Sequence, residues 1–118
     1  PIYPSVHDKL NAAFLNKGIV VTKYTGSRGK SSTNDAHAEF MAKMRVIFDS
    51  ADVAWQTGEL GKVDEGGGGT VAKYIANLGV EVVDVGVPVL SMHAPFEIVS
   101  KLDVYMAFKG FKAFLEQK

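Results

Sequence analysis

Residues 18–57 read GIVVTKYTGSRGKSSTNDAHAEFMAKMRVIFDSADVAWQT, and this stretch decides the fold class. Gly18 to Tyr24 opens it. Ile19, Val20, Val21, Thr22 and Tyr24 are β-branched or aromatic and suit a strand. The run is continuous rather than alternating, as in a strand covered on both faces. Thr25 to Thr33 reads as a loop of glycine, serine, threonine and cations. Thr33 or Asn34 can N-cap the next helix, with Asp35 in its first turn, where the helix dipole favours an anion. From Asp35 to Ser50, Phe40, Met44, Ile47 and Phe48 recur at three- and four-residue steps, which predicts an amphipathic helix. Val53 to Thr57 predicts a second, short strand. A strand, a helix and a strand in this order make a crossover unit, almost always right-handed, with the two strands parallel.

Outward from this unit the alternation continues. Pro1 and Pro4 disfavour a helix start at the beginning of the sequence, with a short helix conceivable over Val6 to Leu15. After Thr57 comes the loop GELGKVDEGGGG, ending at Gly69. Thr70 to Leu78 predicts a helix with Val71, Ile75 and Leu78 as its apolar stripe and Tyr74 beside it. Gly79 is a natural stop, because it has no Cβ to oppose left-handed geometry. Val80 to Leu90 predicts a third strand that bends or ends early at Gly86 and Pro88. Ser91 to Pro95 is a tight connection. Pro95 suits the first turn of a final helix running to about Leu115. Ile98, Leu102, Tyr105, Met106, Phe108, Phe111 and Phe114 give that helix a wide apolar face.

The expected order is β-α-β-α-β-α, an α/β three-layer sandwich with a mainly parallel sheet. In such sheets functional groups collect at the carboxyl ends of the strands. Those ends are the loops 25–33, 58–69 and 91–95. No repeat or linker divides the chain, so residues 1–118 read as a single unit.

Composition agrees with a packed domain. The chain has 118 residues, 47% of them apolar and 22% charged. A folded chain of this mass exposes roughly 6,200 Å², against about 18,400 Å² unfolded, which allows a real core. Collagen-like and highly charged disordered chains are excluded. No apolar run approaches a membrane span of about 20 residues, and Pro1 to Leu10 does not have the pattern of a signal peptide. The absence of cysteine rules out disulfides and thiolate metal sites and favours a reducing, cytoplasmic setting. Thirteen basic side chains balance thirteen acidic ones, so nucleic-acid binding by phosphate neutralisation has no support.

Few groups offer chemistry. Gly66, Gly67, Gly68 and Gly69 stand in a row before a helix. Ordered, such a run brings backbone close to a ligand or turns N–H groups outward; otherwise it is a mobile loop. It matches neither the phosphate loop nor the dinucleotide fingerprint, where Val71 occupies the last position. His93 lies between a strand and a helix. Its imidazole can bind a metal through one nitrogen or simply hydrogen-bond within the loop. Glu97, four residues on, gives only a lone H-x-x-x-E. His7 and His37 offer less, and the adjacent Asp64 and Glu65 fit a solvated loop. Asp84, inside the third strand, needs a partner. Lys23 and the Ser27–Lys30 stretch put positive charge at the end of the first strand. No G-x-S-x-G elbow and no nucleophile–base pair emerges.

Lys23–Thr25, Ser31–Ala36, Gly61–Ala72 (GKVDEGGGGTVA), Asp84–Pro95 (DVGVPVLSMHAP) and the final Lys101–Leu115 segment together resemble the aspartyl aminopeptidase / aminopeptidase I family of zinc metalloaminopeptidases, in its C-terminal part. The resemblance runs through nearly the whole chain in order, with the bacterial aminopeptidase I branch the nearest in pattern. It implies that His93, in the L-S-M-H segment, is the family's last metal-binding histidine. It implies that Lys23 contacts substrate and that Gly66–Gly69 borders the substrate cleft. The aspartyl branch places a tyrosine seven residues after that lysine, where Lys30 stands here. Family proteins are large homo-oligomers acting on peptides with two divalent metal ions, zinc or alternatively cobalt or manganese, in which a metal polarises the peptide carbonyl and a bridging water attacks.

Members of the family are several times longer. The other metal ligands and the catalytic glutamate are implied to lie upstream, so the chain reads as the C-terminal portion of a larger metallopeptidase catalytic domain and contains no catalytic residue of its own. A zinc site needs about three protein ligands, and the sequence supports one. The isolated chain is therefore expected to be inactive. A different class of reading makes it a non-catalytic α/β anion-binding or assembly module, with Gly66–Gly69 and the Lys23–Lys30 loop holding an anion.

Overall fold

The computed structural model describes residues 12–22, 24–26, 33–35, 38–58 and 71–117. Their elements are β1 (Ile19–Thr22), β2 (Tyr24–Gly26), β3 (Thr33–Asp35), α1 (Ala38–Ser50), β4 (Trp55–Thr57), α2 (Ala72–Ala76), β5 (Asp84–Gly86), β6 (Val89–Leu90), β7 (Ile98–Val99) and α3 (Lys101–Leu115). The class is α/β.

β1 is the middle strand of a three-stranded sheet with the order β4-β1-β5. It pairs parallel with β4, Ile19 opposite Trp55 and Val21 opposite Thr57. This is the expected crossover unit, with α1 between its strands. On its other side it pairs antiparallel with β5, Val20 opposite Gly86 and Thr22 opposite Asp84. The described sheet is therefore mixed, not mainly parallel. The registers supply the reason. The chain leaves β4 at the end of the sheet where β1 finishes, and re-enters at that same end through Asp84. A connection that re-enters at the end of the sheet it left sets the next strand antiparallel to the one before it.

Two further expectations change. Thr33–Asp35 does not cap α1. It pairs antiparallel with Tyr24–Gly26, so the stretch read as a loop is bounded by a two-stranded ribbon, and α1 begins at Ala38. The third strand is shorter than Val80–Leu90 suggested. Val89–Leu90 belongs to a second ribbon, opposite Ile98–Val99. Pro95 thus lies inside the ribbon loop, and α3 starts after Ser100. The run Glu97-Ile98-Val99 is better suited to a strand than to a first helical turn, because its branched side chains lose little on a pleated surface.

The core forms where α1 and α3 meet β1. Ile19, Val21, Met44, Phe48, Val53 and Ala107 are buried together. Along β1 burial alternates: Ile19 and Val21 are fully covered, whereas Val20 and Thr22 are half-buried. The α1 stripe lies where its periodicity placed it, with Met44 and Phe48 buried and Phe40 and Ile47 packed against them. α1 closes with Asp52 left-handed (φ 55°) and the Phe48 carbonyl accepting from the Val53 N–H at 2.9 Å and the Ala51 N–H at 3.2 Å, which satisfies an acceptor at the helix end. Gly79 is left-handed as anticipated (φ 81°).

Of the helix faces expected from α2 and α3, only Met106 packs against the core. Val71, Tyr74, Ile75 and Leu78 are exposed, and Ala72 is the buried residue of that segment. On α3 the buried stripe is Asp103, Ala107, Gly110 and Ala113. Tyr105, Phe108, Phe111 and Phe114 are exposed. Small side chains let α3 come close to its neighbours. A Cβ on Gly110 would stand 3.0 Å from Ile19 Cδ1 and 3.2 Å from Phe48 Cε1.

A candidate metal-ligand loop

Ser91 to Glu97 reads S-M-H-A-P-F-E and closes the β6–β7 ribbon. The loop is short and sharply bent. Ser91 (φ 61°) and His93 (φ 70°) both adopt left-handed backbone, which in non-glycine residues is sparsely populated and carries strain of about 1–3 kcal/mol each. The Ala94 N–H donates to the Ser91 carbonyl at 3.0 Å, forming a tight turn around His93. The His93 backbone N–H donates to Glu97 Oε1 at 2.5 Å. His93 is exposed, as are all seven residues of the loop. Its imidazole is thus a solvent-facing donor at the closed end of a ribbon.

β5 runs against β1, so its carboxyl end, Gly86, lies beside Val20 near the start of β1. The carboxyl end of β5 therefore does not gather with those of β1 and β4. A cavity of about 370 Å³, lined by Phe40, Met44, Phe48, Phe111 and Phe114 with Glu81 and Asp84, lies between α1, α3 and residues 81–85. His93 does not line it. Asp84 is half-buried at the start of β5 and has an interaction partner, as a carboxylate in a strand requires.

Among the described residues no three His, Cys, Asp or Glu side chains converge in a way that could hold a metal ion. These residues alone do not fit a zinc site; His93 offers one donor. Glu97 does not stand a helical turn from His93, as an H-x-x-x-E pair on a helix would. Its carboxylate holds the histidine's own backbone. Lys23, the Ser27–Lys30 stretch, Gly66, Gly67, Gly68 and Gly69, His7, His37, Asp64 and Glu65 lie outside the described residues.

Two groups that the sequence left unremarked organise the base of the fold. Asp103 is fully buried. Its Oδ2 accepts from the Asn16 N–H at 2.9 Å and its Oδ1 from the Gly18 N–H at 2.8 Å. Gln56, on β4, accepts from the Phe14 N–H at 3.0 Å, and its amide donates to the carbonyls of Phe14 and Gly18 at 2.8 and 3.1 Å. Ser100 Oγ hydrogen-bonds Asn16 Oδ1 instead of capping α3. A readable signal existed for part of this. Ser100-x-x-Asp103 before an apolar run has the form of a capping box, and it marks where α3 begins.

Residues 1–115 match the family described as aminopeptidase I zinc metalloprotease (M18). The chain belongs to the M18 family. It is 56% identical over 115 residues to the probable M18 family aminopeptidase 1 of Clostridium acetobutylicum, covering 98% of this chain and 25% of that protein. The probable M18 family aminopeptidase 1 of Thermotoga maritima is 50% identical over 117 residues, which are 99% of this chain and 26% of that one. The crystal structure of aminopeptidase I from Clostridium acetobutylicum superposes with a TM-score of 0.89, covering 99% of this chain and 26% of its own. That of the M18 aminopeptidase from Thermotoga maritima gives 0.91, at 49% identity, with 100% and 26% covered. The chain thus spans about a quarter of the length of the M18 relatives it matches. No helix among its described residues is long and apolar enough to cross a membrane.

Proposed function

We propose that this chain is the C-terminal part of a zinc-dependent aminopeptidase that removes N-terminal residues from peptides, and that alone it is inactive. The observation that carries this reading is the M18 match over residues 1–115, nearly the whole chain. Within it, His93 is the residue we assign to the metal. A ligand must present a nitrogen lone pair outside its own element, and an exposed imidazole on a bent ribbon loop does so. The remaining donors and the catalytic groups would come from polypeptide outside this chain. When bound in such sites, zinc supplies Lewis-acid polarisation and a water nucleophile. Zinc is the assigned metal, with cobalt or manganese as alternatives. Lys23 and Gly66–Gly69 are assigned to the substrate cleft. We place the enzyme in the cytoplasm as a homo-oligomer, and we assign a three-layer architecture to the intact catalytic domain, in which the half-buried Val20 and Thr22 face of β1 would be covered further. The family match weighs against the anion-binding module.

The test is an exchange. This chain replaces the segment it matches in the Clostridium acetobutylicum relative. The hybrid is expected to retain zinc and to hydrolyse aminoacyl p-nitroanilides, and His93→Ala is expected to abolish both. The 118-residue chain alone is expected to show no hydrolysis and no tight zinc binding. Turnover by the pure chain, or a hybrid whose zinc survives loss of His93, would overturn the assignment.

A further inference from the structure

We propose that Val104, Phe108, Phe111 and Leu115 form a helix-docking face on α3, and that its occupant is an amphipathic helix with an acidic flank, from the part of the aminopeptidase outside this chain. This rests on the reading of the chain as the C-terminal part of a longer M18 polypeptide.

Spacing defines the face. The four residues follow one another at steps of four, three and four, which on a helix sets them in one row. Asp103, Ala107, Gly110 and Ala113 make a different row, and that row is already buried, with Gly110 against Ile19 of β1 and Phe48 of α1. The row of large side chains is exposed, Phe108 by 62% and Leu115 by 79%. A helix that is apolar on more than one side is a helix built to be buried. α3 is thus covered by β1 and α1 on one side and open on another. At Phe111 the open face runs into the cavity of about 370 Å³ between α1, α3 and residues 81–85, which that ring lines. A ridge of side chains beside an open groove is the relief against which a second helix packs.

Charge and length choose the occupant. Lys101 and Lys112 are exposed and flank the row. The acidic residue within α3 is Asp103, and it is buried. A second copy would bring the same lysines and no exposed acid within the helix, so copies meet here only through uncovered apolar area. A helix with Asp or Glu beside its apolar stripe opposes the lysines with unlike charge. The source of such a helix is the rest of the enzyme. The chain spans about a quarter of the M18 relatives whose fold it shares, α3 included. A docking helix in the remaining polypeptide is tethered to this one, which raises its effective concentration.

The chain has no cysteine, so an introduced thiol reports on its own position. Phe108→Cys is made in the 118-residue chain and in the hybrid with the Clostridium acetobutylicum relative. Alkylation by iodoacetamide at that position is followed by peptide mass spectrometry. In the dilute chain, labelling is expected at the rate of an exposed thiol; in the hybrid it is expected to be about tenfold slower or more, because reaction must wait for the face to open. Leu115→Cys repeats the measurement at the end of the row, where less packing is lost. The double reversal Lys101→Glu, Lys112→Glu is expected to speed labelling of the hybrid about threefold or more at low salt, and little at about 1 M salt, where charges are screened within about 3 Å. Equal rates in the chain and in an active hybrid overturn the proposal. So does protection that vanishes as the hybrid is diluted, which assigns the cover to a second copy. A charge reversal without effect at low salt overturns the acidic occupant. A hybrid that protects position 108 yet neither holds zinc nor hydrolyses overturns the functional reading and leaves the docking face standing.

Discussion

Single residues at the base of β1 set what this fold tolerates. Gly18 has φ 96°, and a Cβ there would stand 2.1 Å from the Ala54 carbonyl oxygen. That oxygen also accepts from the Ile19 N–H at 3.1 Å, so the close approach is part of the strand pairing. Gly18→Ala combines left-handed strain with a backbone clash and is expected to destabilise by about 3 kcal/mol or more, read as a lower urea midpoint. Asp103 tests a different force. It is buried and accepts two backbone N–H bonds from a segment 85 and 87 positions away in sequence. Asp103→Ala leaves both donors without their acceptor and is expected to lose about 2–4 kcal/mol by chemical unfolding. Asp103→Asn, with one oxygen and one N–H₂, would face two donors with a single acceptor and is not expected to restore stability fully. His93 was visible in the sequence as a candidate ligand. The role of Asp103 was not, because a carboxylate in the first turn of a helix is ordinary by local rules, and its partners come from the other end of the chain.

Elements were legible in proportion to how local their signals are. The valine- and isoleucine-rich β1 and the periodic α1 appear where their residues put them. α3 also ends at Leu115 as expected, but the residues it buries most deeply are small ones beside the expected apolar face, with Met106 packed next to them. Transfer free energy favours burying Phe108 and Phe111 over Gly110 and Ala113. Close packing favours the small stripe, because the space between α3, Ile19 and Phe48 leaves no room for a large side chain. Gly110→Val is therefore expected to destabilise by about 1–3 kcal/mol even though valine is the better helix former. Phe108→Ala is expected to change stability by less than about 1 kcal/mol, because the ring is 62% exposed. Phe48→Ala, at 1% exposure, is expected to lose about 3–5 kcal/mol. Parallel differential scanning fluorimetry of the three variants would rank them. The direction of β5 was illegible for a related reason: a three-residue strand has the same side-chain alternation whichever way it runs.

For the molecule as a whole, the described residues leave an apolar surface on α3, where Leu102, Val104, Tyr105, Phe108 and Leu115 are each more than two-fifths exposed. Contiguous apolar area of this kind marks a surface that binds other polypeptide. The isolated chain is therefore expected to bind a hydrophobic dye and to sediment with a weight that rises with concentration. The double variant Phe108→Lys, Leu115→Lys is expected to reduce both without lowering the thermal midpoint; a parent chain that stays monomeric across the range would contradict this. By itself the sequence determined the α/β class, the β1–α1–β4 crossover and the candidacy of His93, because each is written in neighbouring side chains or in the order of the chain. Only the tertiary structure decided that β5 runs antiparallel, that α3 buries its small residues, that Asp103 and Gln56 hold the start of β1, and that Glu97 grips the His93 backbone. Each of these depends on which groups come within bonding or packing distance across the fold, and no local pattern of residues specifies that distance.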